Sequence, residues 1–135
     1  MSAPAQGVAY LDASAYVKLV LREPGYEVLL RALDRWPAHV SSVLLRTEAE
    51  RGCARYGERF RERALAGLKT VALLPLDEAV LAAAGALRPV ELRSLDAIHL
   101  ATALSVAVRR CVLFSYDDRL STAAAAAGVP VERPA

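Results

Sequence analysis

The sequence predicts an α/β protein: a central parallel sheet of four to five strands, with helices on both faces, in three layers. Three observations carry this. Short apolar runs alternate with stretches of helical spacing along the 135 residues. The runs are apolar throughout, not at every second position, which marks strands buried on both faces, and such strands belong to parallel sheets joined by helical crossovers. The length suits one domain and is too short for two ordinary ones, so residues 1–135 are expected to form a single unit.

The elements follow in order. Val8-Ala9-Tyr10-Leu11 is a short apolar run ending at Asp12, and Ala13 to Leu21 continues as a helix. Pro24-Gly25 breaks the chain. Val28, Leu29, Leu33 and Trp36 then recur at helical spacing over Tyr26 to Trp36. After Pro37, Ala38-His39-Val40 is a weak strand. Ser41 and Ser42 suit the N-cap of a long helix with a core face of Leu45, Ala49, Cys53, Tyr56 and Phe60, which Gly57 kinks or divides. Thr70 to Leu76 reads as a buried strand, and Asp77 caps a helix over Glu78 to Leu87. Ser94 opens a helix over Leu95 to Arg109 that is apolar on nearly every side. Cys111 to Phe114 is a buried strand, Asp117 starts a last helix through Ala127, and Val129 to Val131 forms an edge strand beside Pro130.

Composition excludes several classes. Hydrophobic residues make up 55% and charged residues 24%, which excludes a disordered or fibrous chain. The net charge of +2 excludes a blanket of positive charge as the means of binding, although fifteen of the seventeen basic residues are Arg. Cys53 and Cys111 are far apart and form no CxxC pair, so two reduced core thiols are expected. The first twelve residues lack a basic n-region and a long apolar h-region, and the apolar stretch from Leu95 to Val108 contains Asp96 and His99 and is too short to span a bilayer. The expectation is a soluble, cytoplasmic protein without membrane association.

The chemistry lies in the acids. Asp12 ends the first strand, Asp117 follows the fourth, and Asp96 falls in the first turn of the apolar helix. Open parallel sheets bind ligands beyond the carboxyl ends of their strands, where helix N-termini point. Each Asp alone can be a helix cap, favoured by about 0.3–1 kcal/mol from the helix dipole. A convergent group is different. Carboxylates about 5 Å apart repel by roughly 3 kcal/mol per pair at an effective dielectric near 20, so protons or a divalent cation must enter. All-oxygen donors select Mg2+ or Mn2+ over zinc, and such an ion lowers the pKa of bound water and neutralises charge on a phosphoryl group. Local sequence leaves two choices open. Either Asp117 or Asp118 ligates while the other caps the helix. Glu48 and Glu50 lie about 100° off the core face on opposite flanks, and periodicity does not separate them.

Four segments carry a resemblance. They are Tyr10-Leu11-Asp12-Ala13-Ser14-Ala15, then Ser41-Ser42 followed after five residues by Glu48, then Leu92 to Ala101 with its Asp96-Ala97-Ile98-His99 core, and Phe114-Ser115-Tyr116-Asp117-Asp118-Arg119-Leu120. In order and at family length, they resemble the motifs of PIN-domain ribonucleases, and within these the VapC toxins of bacterial toxin–antitoxin pairs. The resemblance implies a PIN-like fold and a metal-dependent endoribonuclease with Asp12, Glu48, Asp96 and Asp117 as catalytic, metal-holding acids around Mg2+ or Mn2+. It implies an RNA substrate, products with 5′-phosphate and 3′-hydroxyl ends, a cognate antitoxin that occludes the site, and a homodimer. Ser14 and Ser115 stand where small hydroxyls support the metal or phosphate. The S/T-x-D spacing assigns Asp117 to the quartet and leaves Asp118 in support, and the spacing from Ser42 selects Glu48, with Glu50 a solvated partner of Arg46.

Other residues carry weaker signals. His99 lies three residues after Asp96, on the same side of the helix, and reads more readily as a hydrogen-bonded structural residue than as a base. Arg46, Arg93 and Arg119 flank the acids in sequence and are candidates to clamp the RNA backbone, with Lys18 behind them. Arg51, Arg55, Arg59 and Arg63, spaced by four, form either a phosphate-tracking stripe or a solvated face balanced by Glu58 and Glu62. A strand ending in Asp12 resembles aspartyl phosphatases, but their DxDx[TV] needs an acid where Ser14 stands. The Asp117-Asp118 pair of a receiver domain would follow the first strand, not the fourth. The rival of another class is a non-catalytic PIN-like module that binds RNA or protein.

Overall fold

A computed structural model describes residues 7–107 and 110–135. The strands are β1 (Val8–Leu11), β2 (Ala38–Ser42), β3 (Ala72–Leu74), β4 (Cys111–Phe114) and β5 (Val131–Glu132). They form one sheet in the order β3-β2-β1-β4-β5, with every neighbouring pair parallel. The helices are α1 (Ala13–Leu21), α2 (Tyr26–Asp34), α3 (Leu44–Ala54), α4 (Glu58–Gly67), α5 (Glu78–Ala86), α6 (Ser94–Ser105) and α7 (Asp118–Ala126). This is the three-layer α/β sheet that the apolar runs predict.

The central strand shows why the sheet has two covered faces. All four residues of β1 are buried. Ala9 and Leu11 enter a core with residues of α1 to α4, among them Tyr16, Leu29, Leu45 and Cys53. Val8 and Tyr10 enter the opposite core with Leu100 and Ala103 of α6 and Leu120, Ala123 and Ala124 of α7. Successive strand residues point to opposite faces, so an uninterrupted apolar run feeds both layers at once. A third cluster seats Val80 and Ala84 of α5 on Ala97 and Ala101 of α6, which explains why α6 is apolar all round.

The connectivity positions the site. From β1 the chain steps outward to β2 and β3, then crosses back past β1 to build β4 and β5 on its other side. The order therefore reverses between β1 and β4, and crevices at such reversals open at the carboxyl ends of the strands. Asp12 and Asp117 follow those two strands.

The structure bears out a break at Gly57 and corrects other expectations in detail. The long helix is divided into α3 and α4 at Gly57, whose φ of +129° is open to glycine and strained for other residues. Tyr56, 64% exposed, leaves the core face, while Phe60 of α4 packs against the same core as Leu45, Ala49 and Cys53. The break also ends the four-residue arginine stripe. Arg63 turns inward to donate to the Val20 carbonyl, and Arg59 and Arg63 both lie over the Phe60 ring. Ser41 and Ser42 belong to β2: Ser41 donates to the Leu11 carbonyl, and only Ser42 caps locally, accepting from the Leu44 N–H. The Thr70–Leu76 run keeps three strand residues because β3 is an edge strand with Ala72 exposed. Helix α6 ends at Ser105; Val108 and Arg109, in its expected last turn, lie outside the described residues. Cys53 and Cys111 are buried free thiols, as expected.

Candidate active site

Asp12 is 3% exposed and occupies the N-cap of α1, so its backbone leaves β1 while its side chain satisfies the new helix. Oδ1 accepts from the Ser14 hydroxyl at 2.7 Å and from the Ala15 N–H at 2.9 Å. Oδ2 accepts from the Ser115 hydroxyl at 2.5 Å. Burial pushes the Asp12 carboxyl above the ordinary carboxylate range, and the hydrogen bonds of Ser115, Ser14 and Ala15 oppose that rise. The two hydroxyls do double duty. Ser14 accepts from the Tyr116 N–H and Ser115 accepts from the Asp117 N–H, so the loop after β4 is tied to the end of β1 through one carboxylate.

Asp117 caps α7, accepting from the Leu120 N–H at 2.9 Å. Asp96 sits in the first turn of α6. Its carboxyl is raised, first by burial and then by the charge of Asp117, with smaller contributions from Asp12 and Glu48. Asp117, Asp12 and Glu48, each from a separate segment, thus lie within electrostatic reach of Asp96. Sequence order alone gives no reason for that; the β1/β4 reversal does.

Glu48 joins them from the opposite helical layer. On α3, Leu45, Ala49 and Cys53 take the core face, which leaves Glu48 and Glu50 on its two flanks. Glu50 faces α4 and pairs with Arg61 at 2.9 Å, not with Arg46 as expected. Glu48 faces the sheet end, where Oε1 meets His99 Nε2 at 2.6 Å. His99 is 2% exposed, and its Nδ1 lies 2.7 Å from the Tyr10 hydroxyl. That hydroxyl in turn accepts from the Ser42 N–H at 3.1 Å. The tie between Glu48 and His99 therefore bridges the two layers over the strand ends. Tyr10 opens the first of the four segments, but the sequence assigns it no role in the site. Its one sequence signal is a hydroxyl-bearing ring in an aliphatic strand, and a buried Tyr hydroxyl needs a partner.

Other candidates lie elsewhere. Asp118 points outward with an 86% exposed side chain and pairs with Arg133, so it neither caps α7 nor enters the cluster, and its supporting role is not seen. Lys18 donates to the Pro24 carbonyl at 2.6 Å and lies 4.7 Å from the Tyr116 ring centre, occupied by the fold itself. Arg46, Arg93 and Arg119 are exposed, and among the described residues none of them forms an ion pair.

The donor set fits a hard divalent cation by its chemistry. It offers carboxylate oxygens, and burial first and the charge of Asp117 second keep Asp96 raised, the condition a bound cation relieves. It is not already drawn tight: among the described residues, no three His, Cys, Asp or Glu side chains stand together at metal-holding distance. Among the same residues, no helix is long and apolar enough to cross a membrane.

Comparison with known proteins agrees with this fold. The family model described as PIN domain matches residues 9–126. The chain is 46% identical over 125 residues to Ribonuclease VapC46 of Mycobacterium tuberculosis, covering 93% of this chain and 96% of that protein. Its fold superposes with a TM-score of 0.74 on the crystal structure of Mycobacterium tuberculosis VapC20, described as a sarcin–ricin loop cleaving toxin, at 18% identity and covering 93% and 99% of the two chains. A toxin–antitoxin complex from Klebsiella pneumoniae contains a chain that matches with a TM-score of 0.68 at 25% identity, covering 94% of this chain and 98% of that one. A match of the family model over most of the chain, together with 46% identity to a VapC protein, means that the chain belongs to the PIN-domain family, in its VapC branch.

Proposed function

We propose that this protein is an endoribonuclease that hydrolyses RNA phosphodiester bonds, acting as the toxin of a toxin–antitoxin pair, with Mg2+ or Mn2+ held by Asp12, Asp96, Asp117 and Glu48. The observation that carries the reading is placement: Asp12 and Asp117 follow β1 and β4 and Asp96 lies in the first turn of α6, at the crevice where parallel sheets bind ligands. Ribonuclease VapC46, similar over nearly its whole length, supports the substrate class. The Klebsiella pneumoniae complex supports an antitoxin protein as partner. A homodimer, a cytoplasmic setting and a single functional unit over residues 1–135 complete the reading.

Bound in this cluster, a divalent cation would lower the pKa of water and offset charge on the phosphoryl oxygens. The chain's own part is preorganisation. The fold occupies part of each of three acids and leaves the rest for ligands. Asp12 Oδ1 takes two hydrogen bonds and Oδ2 one, Asp117 Oδ1 is spent on the α7 cap, and Glu48 Oε1 on His99. The exposed Arg46, Arg93 and Arg119 are available to meet phosphates on either side of the scissile bond. The phosphodiester is broken by in-line attack of water, with no covalent protein intermediate.

A non-catalytic PIN-like binding module is the rival reading, favoured by the one observation that the acids are not drawn together at metal-holding distance. Incubation of cellular RNA with purified protein separates the two. Cleavage in Mg2+ or Mn2+ that EDTA abolishes and that Asp96→Asn lacks is expected. Undiminished cleavage by Asp96→Asn, or cleavage indifferent to EDTA, would overturn the assignment.

A further inference from the structure

Glu48 differs from the other acids in how it is held. Asp12 and Asp117 are fixed by the N-termini of the helices they begin, α1 and α7. Glu48 lies within α3, beyond its N-cap, and its recorded hydrogen bond is to a side chain of another layer. A long carboxylate side chain partly open to water, 20% exposed, would otherwise sample several rotamers.

Hydrogen-bond accounting gives that tie a direction. The Tyr10 hydroxyl has a single proton, and one of its lone pairs already receives the Ser42 N–H. Its proton is therefore free to go to His99 Nδ1, 2.7 Å away. With Nδ1 accepting, the imidazole proton sits on Nε2 and donates to Glu48 Oε1. The donor order runs Ser42 N–H, Tyr10 O–H, His99 Nε2–H, Glu48 carboxylate. It begins at a backbone group of β2 and so is anchored to the sheet. Tyr10 and His99, at 0% and 2% exposure, cannot be replaced in this order by bulk water.

We propose that Tyr10 and His99 are positioning residues for the nuclease site, forming a relay from the Ser42 backbone that presents Glu48 with one oxygen occupied and the other left for the cation. This rests on the reading that Glu48 is one of the metal-holding acids. Neither residue touches substrate. The relay acts on a metal ligand through the hydrogen bonds behind it, and losing such partners typically weakens metal affinity about 10–100-fold.

Three variants of the full chain test the relay, with Mn2+ alone as the probe, titrated calorimetrically without RNA. Tyr10→Phe removes only the hydroxyl. His99→Leu keeps apolar bulk and removes both hydrogen bonds. His99→Gln keeps one acceptor and one donor. Tyr10→Phe and His99→Leu should bind Mn2+ about 10-fold more weakly or worse. His99→Gln should recover much of the loss, and on RNA kcat should fall with KM little changed. A merely structural, hydrogen-bonded histidine predicts instead that His99→Leu lowers the urea midpoint while the folded variant binds Mn2+ as wild type does. His99→Leu binding Mn2+ as wild type does, or His99→Gln binding as weakly as His99→Leu, overturns the proposal. If the His99 variants do not fold, Tyr10→Phe decides: unchanged Mn2+ affinity overturns it. Nitrogen NMR of the metal-free wild type adds a readout independent of catalysis. A proton on Nε2 alone is expected, and one on Nδ1 overturns the donor order. Wild-type protein that neither binds Mn2+ nor cleaves RNA would refute the nuclease reading itself, while the NMR result would still judge the relay.

Discussion

Ser115→Ala is the sharpest test of how the acidic site is built. Ser115 is fully buried, and its hydroxyl makes two contacts at once. It donates to Asp12 Oδ2 at 2.5 Å and accepts from the Asp117 N–H at 3.0 Å. A hydrogen bond to a charged group contributes about 1.5–3 kcal/mol and a neutral one about 0.5–1.5 kcal/mol. Losing both should cost about 2–4 kcal/mol, reduced where water enters the space. In urea, with a slope of about 2 kcal/mol per molar, the unfolding midpoint should fall by about 1–2 M when measured in EDTA at neutral pH. The pH dependence follows from linkage. The Ser115 bond stabilises the ionised Asp12 carboxyl and opposes the rise that burial causes. Its charged part is therefore present above Asp12's raised pKa and fades as pH falls through it, leaving the neutral bond to Asp117. The variant's deficit should shrink in acid. A deficit below about 0.5 kcal/mol at neutral pH, the range of an ordinary surface substitution, or one that grows in acid, would refute the reasoning.

Three further outcomes follow from the same contacts. Asp96→Asn should modestly stabilise the cation-free protein at neutral pH, read as a higher urea midpoint. Its raised carboxyl costs stability only once pH climbs past the ordinary 3.8, so the gain should vanish in acid on urea titration. Glu48→Gln should lose RNA cleavage while Glu50→Gln retains it, since Glu50 is engaged by Arg61 away from the cluster; equal loss in both would contradict the flank assignment. Gly67→Ala should destabilise by about 1–3 kcal/mol in urea, because its new Cβ would lie 2.5 Å from the Tyr16 hydroxyl, which is held on the Ala64 carbonyl at 2.6 Å. Adding Tyr16→Phe should relieve part of that cost, and a strictly additive double variant would show that the contact is not the cause.

The sequence by itself determined the layers and placed Asp12, Asp96 and Asp117 where helices begin. An apolar run such as Val8–Leu11 has only one way to bury both faces, so parallel strands under helices follow from local chemistry. Asp12 and Asp77 were legible as caps because a helix N-terminus must satisfy its free N–H groups within a few residues. The break at Gly57 was only half legible, since glycine permits a positive φ but does not require it. What tertiary structure decided are the contacts between residues far apart in the chain. The separation of Glu48 from Glu50 depends on which flank of α3 meets α6 and which meets α4, and helical periodicity treats the two flanks alike. Asp117 and Asp118 differ for a similar reason: one caps α7, the other meets Arg133 in the C-terminal segment. The tie from Tyr10 to His99 spans 89 positions and exists because β1 lies under α6. Local pattern specifies which groups must be buried or capped. Only the packing of distant segments at the β1/β4 reversal decides which polar groups then face one another.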